Sequence, residues 1–257
     1  MPASRFDIPK IRISGAKAKI KELESQIRVF LEAKPYAIVI EVDPATGNKT
    51  YKIKLTEGLP DNAINLAVEI AEALRAALDN AGFASVSGVD DPRVKGAYFP
   101  IADTDAKIDT DLIKRKRCVD LRPEILTLFR SFQPHKAGNP LIWGLNKLAN
   151  GSKHRLLIPV GMGRGDVPIY NFHIPGEAIW FGVPPIWDNE KDEMVLCIVK
   201  PFSDPQFNIQ MTMFVAMRPI EGIPYIPATD VFSAMATEVE RIVLATELEC
   251  CRLGIIN

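Results

Sequence analysis

Ten of the twenty prolines in this chain lie between Pro159 and Pro227. Proline lacks a backbone donor, and its ring clashes with the preceding turn, so helix interiors exclude it. The windows 10–34, 61–91, 141–158 and 228–257 contain none. Long helices are therefore confined to those windows. The proline-dense stretch is left for strands and turns, with prolines at strand ends and in the connections.

The first window places Ile20, Leu23, Ile27, Phe30 and Leu31 at helical spacing between lysines and glutamates, with Ser14 as N-cap and Pro35 as the stop. The second opens at Pro60-Asp61-Asn62. It carries a narrow seam of Ile64, Ala67, Ala71, Leu74 and Leu78, and ends at Gly82. Residues 83–104 read as a loop closing on Tyr98-Phe-Pro-Ile. Two short helices are expected over 105–133, the second begun by Pro123, and another over Pro140–Asn150. The last window predicts a helix over about 230–253, with Phe232, Met235, Val239, Ile242 and Val243 inward.

Tyr36–Val42 and Lys49–Leu55 flank the turn residues Asp43-Pro-Ala-Thr-Gly-Asn and predict a β-hairpin. Five more strands are expected near 156–160, 169–174, 178–183, 194–199 and 208–217, separated by Pro, Gly and Asp. The fold class is α+β: a helical N-terminal part with a hairpin, an antiparallel meander in the C-terminal half and a long final helix. A single domain over 1–257 is expected. It has a helical subregion at about 60–152, a sheet subregion at 36–55 plus 155–218, and the helix at 230–253.

The charges nearly cancel, with 31 Lys and Arg against 32 Asp and Glu. This disfavours a general nucleic-acid coat or a polybasic membrane binder. No apolar run reaches the ~18 residues of a membrane span, and the first residues lack the apolar core of a signal peptide. Cys118, Cys197, Cys250 and Cys251 form no Cys-x-x-Cys pair, and adjacent Cys250 and Cys251 diverge on a helix. Reduced thiols in a cytoplasmic protein are expected.

Several motifs have ordinary structural readings. Gly161-Met-Gly-Arg-Gly165 runs into another strand instead of a helix and reads as a hairpin turn, not a dinucleotide loop. Lys114–Arg117 follows four aspartates and reads as a solvated helix end. His135, His154 and His173 lack a His-Glu-x-x-His context, and no Gly-x-Ser-x-Gly elbow is present, so no metal and no cofactor is expected. Lys153-His154-Arg155 suits a helix C-terminus, but also a small anion site. Arg75 has Glu72 three residues before and Asp79 four after, the spacing of an ion-pair ladder.

Three segments resemble a group of bacterial proteins of similar length whose activity is not established. Ala73-Leu-Arg-Ala-Ala-Leu-Asp-Asn80 is similar to that group's N-L-R-S-A-L-D-H-L helix. Tyr98-Phe-Pro-Ile101 is similar to its F-P-I turn. Asn146-Lys-Leu-Ala-Asn-Gly-Ser-Lys-His-Arg155 is similar to its L-x-x-L-x-N-x-D-K-H-R stretch. The resemblance covers about residues 15–158. The Arg-x4-His of that helix also resembles HEPN-type ribonucleases, in which arginine and histidine face the scissile RNA. There the arginine would stabilise phosphate charge and the histidine would move a proton. This chain keeps Arg75 but has Asn80 at the histidine position, and asparagine is no acid or base near neutral pH.

The favoured expectation is a non-enzymatic binding or interaction protein, with a homodimer as the candidate assembly, no membrane partner and nucleic acid not favoured. The alternative is a degenerate HEPN-like ribonuclease or RNA-binding protein. It would use Arg75 and His154 catalytically and Lys153, Arg155, Asp79 and Asn80 for binding. A lesser reading is a small-ligand carrier lined by Phe172, Trp180, Phe181 and Trp187.

Overall fold

In a computed structural model, α1 spans Asp7–Glu32. The helix starts about two turns earlier than Ser14, which lies exposed inside it. The true start is built by Ser4. Its hydroxyl accepts the Phe6 amide at 3.2 Å, and its own N–H donates to Asp7 Oδ2 at 2.8 Å. Pro9 is tolerated because first-turn amides have no intrahelical acceptor. The structure describes residues 4–88, 97–110, 118–150, 157–162, 178–179, 187–188, 191–202, 212–218, 220–223 and 226–256.

The other elements are β1 (Tyr36–Val42), β2 (Lys49–Leu55), α2 (Asp61–Ala84), α3 (Asp105–Asp109), α4 (Pro123–Ser131) and α5 (Pro140–Asn150). They are followed by β3 (Leu157–Met162), β4 (Ala178–Ile179), β5 (Trp187–Asp188), β6 (Glu193–Val199), β7 (Thr212–Met217) and α6 (Ala228–Arg252). The fold is α+β with a long C-terminal helix. The expected strand at 169–174 lies outside the described residues.

Two compact units divide the chain. One comprises Met1–Ser25, Asn62–Leu156 and Met217–Asn257. It is helical, with α2 as its most buried element. Of the narrow seam expected for α2, Ala67, Ala71, Leu74 and Leu78 are buried and Ile64 only half-buried, and the buried face is broader: it takes in Ala63, Leu66, Ile70, Ala77 and Ala81. Small alanines let neighbouring elements approach on both flanks. Gly82 does not end α2. It lies within the helix, and a Cβ there would come 2.9 Å from the Phe99 amide nitrogen, so its smallness serves packing and not termination. Phe99, fully buried, packs its ring at a tilt of 57° against Phe129 of α4, with the centroids 4.9 Å apart. All five inward positions expected of α6 are buried. Lys10–Glu247 and Lys17–Glu240 ion pairs join α1 to α6.

The second unit comprises Gln26–Asp61 and Leu157–Ala216. Its antiparallel sheet runs β1-β2-β6-β4, with β5 also pairing β6, so the N-terminal hairpin joins the later strands. β3 and β7 form a separate pair. Ile53, Met194 and Ala216 make one buried cluster, and Tyr51, Cys197 and Val199 another. Lys52 of β2 donates to Glu193 of β6 at 2.9 Å and pairs with Glu41 of β1 at 2.6 Å, tying three strands together on one face.

Candidate functional site

Arg75, Asp79 and Gly82 occupy positions i, i+4 and i+7 of α2, one above another on a single face. This face receives the backbone of Tyr98-Phe99. The Arg75 guanidinium donates from Nη1 to Asp79 Oδ1 at 2.7 Å, from Nη2 to the Phe99 carbonyl at 3.2 Å and from Nε to Asn146 Oδ1 at 3.1 Å. Asp79 Oδ1 also accepts the Phe99 amide at 3.2 Å. Asn146, on α5, is held in turn by Asn150 Nδ2 at 2.9 Å. Arg75 and Asp79 side chains are 17% and 27% exposed, so these bonds work in a partly desolvated setting.

The i,i+4 partner read from the sequence is therefore present. Asn146 and the Phe99 carbonyl are additional partners that local spacing does not reveal. The one signal available was Gly82, unusual inside a strongly helical segment. Asn80, at the position that resembles the HEPN histidine, has its Nδ2 buried without a hydrogen-bond acceptor among the described residues. Lys153, His154 and Arg155 lie outside the described residues, as do the basic run 114–117 and the side chains of Phe172, Trp180, Phe181 and Trp187.

His135 accepts the Gly138 amide on Nδ1 at 3.2 Å, and its Nε2 lies 4.0 Å from Asp105. No group of three His, Cys, Asp or Glu side chains among the described residues could hold a metal ion. Trp143 donates its indole N–H to Asp103 at 2.9 Å, with Lys147 and Lys136 within 5.1 and 5.7 Å of its ring. The indole N–H and then Lys147 hold the Asp103 carboxyl down at about 2. All four cysteines are free, and three are buried. Burial pushes the Cys197 thiol up to about 11 and raises that of Cys250, which leaves neither a ready nucleophile. No helix among the described residues is long and apolar enough to cross a membrane.

No family model, curated protein or solved structure matches this chain. Chemically, the α2 face is a clamp. Its donors and acceptors are aimed at a peptide segment of the same chain, and it holds that segment against a helix.

Proposed function

We propose that this chain is a binding or interaction protein that works without catalysis, in the reducing cytoplasm. The observation that carries this reading is the use made of Arg75. A phosphate-stabilising arginine needs donors aimed at the ligand. Here Nε, Nη1 and Nη2 all donate to protein acceptors, one of them a backbone carbonyl. The buried, protonated state of Cys197 and Cys250 supports the same reading, as does the presence of four free thiols for a reducing compartment.

The competing reading is an RNA-directed enzyme descended from a HEPN-like ancestor. Incubating the purified chain with labelled single-stranded RNA separates the two, with Arg75→Lys as the companion variant. The expected result is no cleavage by either protein, and a lower urea midpoint for the variant. Cleavage by the wild type that a folded Arg75→Lys loses would overturn the proposal. Cleavage shared by both would overturn it too, and would assign the chemistry to other residues.

A further inference from the structure

β1 has one strand neighbour among the described residues, β2, and is the outermost strand of the sheet they form. The turn shows which way its backbone groups point. The Asp43 amide donates to the Asn48 carbonyl at 2.9 Å, and the register continues Val42↔Lys49, Glu41↔Thr50, Ile40↔Tyr51. Bonded and non-bonded pairs alternate in an antiparallel ladder. The N–H and C=O of Ile38 and Ile40 are therefore directed away from β2.

The side chains of this edge are apolar and open. Ile38, Ile40 and Val42 are 48, 50 and 60% exposed. They lie on the same face as their register partners Ile53 and Tyr51, which are buried. The covering layer thus reaches Tyr36 at one end of β1 and leaves the rest of this row open. Natural edges are guarded by lysine, proline, bulges or shortness. β1 is seven residues long, contains neither lysine nor proline, and pairs with β2 in unbroken register.

We infer that β1 is a dimerisation edge, pairing antiparallel with β1 of a second copy of this chain about a two-fold axis at Val39. The sequence of the strand selects this occupant and register. With Val39 facing its own mate, Ile38 faces Ile40 and Tyr36 faces Val42, so the exposed apolar row is completed by itself. Each Ile38–Ile40 pair exchanges both outward backbone bonds. Charge agrees. Glu41 faces Ala37 of the second copy, and Ala37 lies beside Lys54 in the β1–β2 register. Lys54 is exposed, and Glu193, its register neighbour on β6, is already held by Lys52. Two strand spacings are roughly 10 Å. A lysine and a glutamate span that distance across the alanine methyl between them. Glu41 thereby sits between Lys52 of its own chain and Lys54 of the other. A slip that brings Glu41 opposite Glu41 sets like charges face to face. The pairing involves no residue of the Arg75 clamp, and it stands or falls separately from the question of catalysis.

Sedimentation of the full chain tests it. The wild type is expected at twice the chain mass across the micromolar range. Ile40→Pro removes an outward-pointing N–H while leaving the β1–β2 ladder intact, and is expected at the monomer mass with an unchanged far-UV spectrum. Register is read by cross-linking in a Cys251→Ser background. Two-fold-related Val39 residues lie about 4.5 Å apart at Cα, within disulfide range. Val39→Cys should form a covalent dimer on mild oxidation, and Val42→Cys should not, its mates being on the order of 20 Å apart. A monomeric wild type overturns the inference, even if β1 binds a strand of another protein. So does a wild-type dimer in which Val39→Cys stays uncross-linked or Val42→Cys links as readily. Should Ile40→Pro fail to fold, the Val39→Cys result decides alone.

Discussion

Arg75 and Asp79 hold the two polar ends of one residue: the Phe99 carbonyl accepts from Arg75 at 3.2 Å, and the Phe99 amide donates to Asp79 at 3.2 Å. A strand edge would satisfy such a backbone with another backbone. Here two side chains one helical turn apart do it, bound to each other at 2.7 Å. Removing Arg75 leaves a half-buried carboxylate and a carbonyl without a donor, and loosens Phe99 from its ring contact with Phe129. Arg75→Ala should cost about 3 kcal/mol in urea unfolding. Arg75→Lys should lose most of that, because a single ammonium does not reproduce the fork that reaches Asp79, Asn146 and Phe99 together. A cost below about 0.5 kcal/mol, as for an exposed i,i+4 pair, would show that the clamp is not needed for the fold.

Gly82 and Gly15 make a matched pair. Both are helical, and in a helix interior Gly→Ala ordinarily stabilises by roughly 0.5–1 kcal/mol. A Cβ at Gly15 meets nothing within 4 Å, so Gly15→Ala should follow that rule. At Gly82 the added carbon would lie 2.9 Å from the Phe99 nitrogen and 3.0 Å from the Tyr98 carbonyl carbon, both backbone atoms. Gly82→Ala should therefore reverse the sign and destabilise by about 1–3 kcal/mol, the range for overpacking. Thermal unfolding of the two variants side by side checks both signs.

What the sequence revealed follows from how local each feature is. The hairpin could be read residue by residue because the β-branched run 36–42, the Asp43–Asn48 turn and the period-two strand 49–55 are adjacent. The inward residues of α6 could be read because Phe232, Met235, Val239, Ile242 and Val243 repeat at helical spacing. Gly82 misled as a stop because its reason lies seventeen residues on, in the Phe99 backbone. Ser14 misled as a cap because serine also sits exposed in helix interiors, while Ser4 and Asp7 make the actual start. In the clamp, Asp79 was visible at i+4, but Asn146 is 71 residues from Arg75 and announces itself by no pattern. The open edge of β1 was invisible for a different reason. Its nearly continuous apolar, β-branched run resembles that of a buried strand, and only the sheet order shows which of the described strands lies outermost.

Lys52 is the second polar tie, on the opposite kind of element. Its side chain is 13% exposed, and that of its partner Glu193 is 7%. The carboxylates of Glu41 and then Glu193 raise the Lys52 ammonium above its usual value. Lys52→Met strands a buried carboxylate and should cost on the order of 3 kcal/mol. Adding Glu193→Leu should recover most of it, since an apolar pair of similar volume replaces a buried ion pair at little loss. Chemical denaturation of the single and double variants gives the coupling directly. Additive losses would sink the idea that Glu193 depends on Lys52.

Asp103 supplies the pH-dependent element. Its carboxylate accepts the Trp143 indole N–H at 2.9 Å and the Lys147 ammonium at 3.0 Å, with Lys107 at 3.7 Å. The indole bond first, then Lys147, bring its pKa from 3.8 to about 2. A carboxyl whose folded pKa is depressed contributes stability above its unfolded value and loses it as pH falls through the folded one. The contribution of Asp103 is thus complete above about 3.8 and is lost toward 2. The Trp143 indole N–H resonance, assigned by its disappearance in Trp143→Phe, should titrate with a midpoint near 2. In Asp103→Asn the resonance should stay flat over the same window, because the amide oxygen still accepts and carries no proton to gain. The stability difference between wild type and Asp103→Asn should narrow as the pH is lowered through that interval. A wild-type midpoint at the ordinary 3.8 would show that neither the indole nor Lys147 engages the carboxylate in solution.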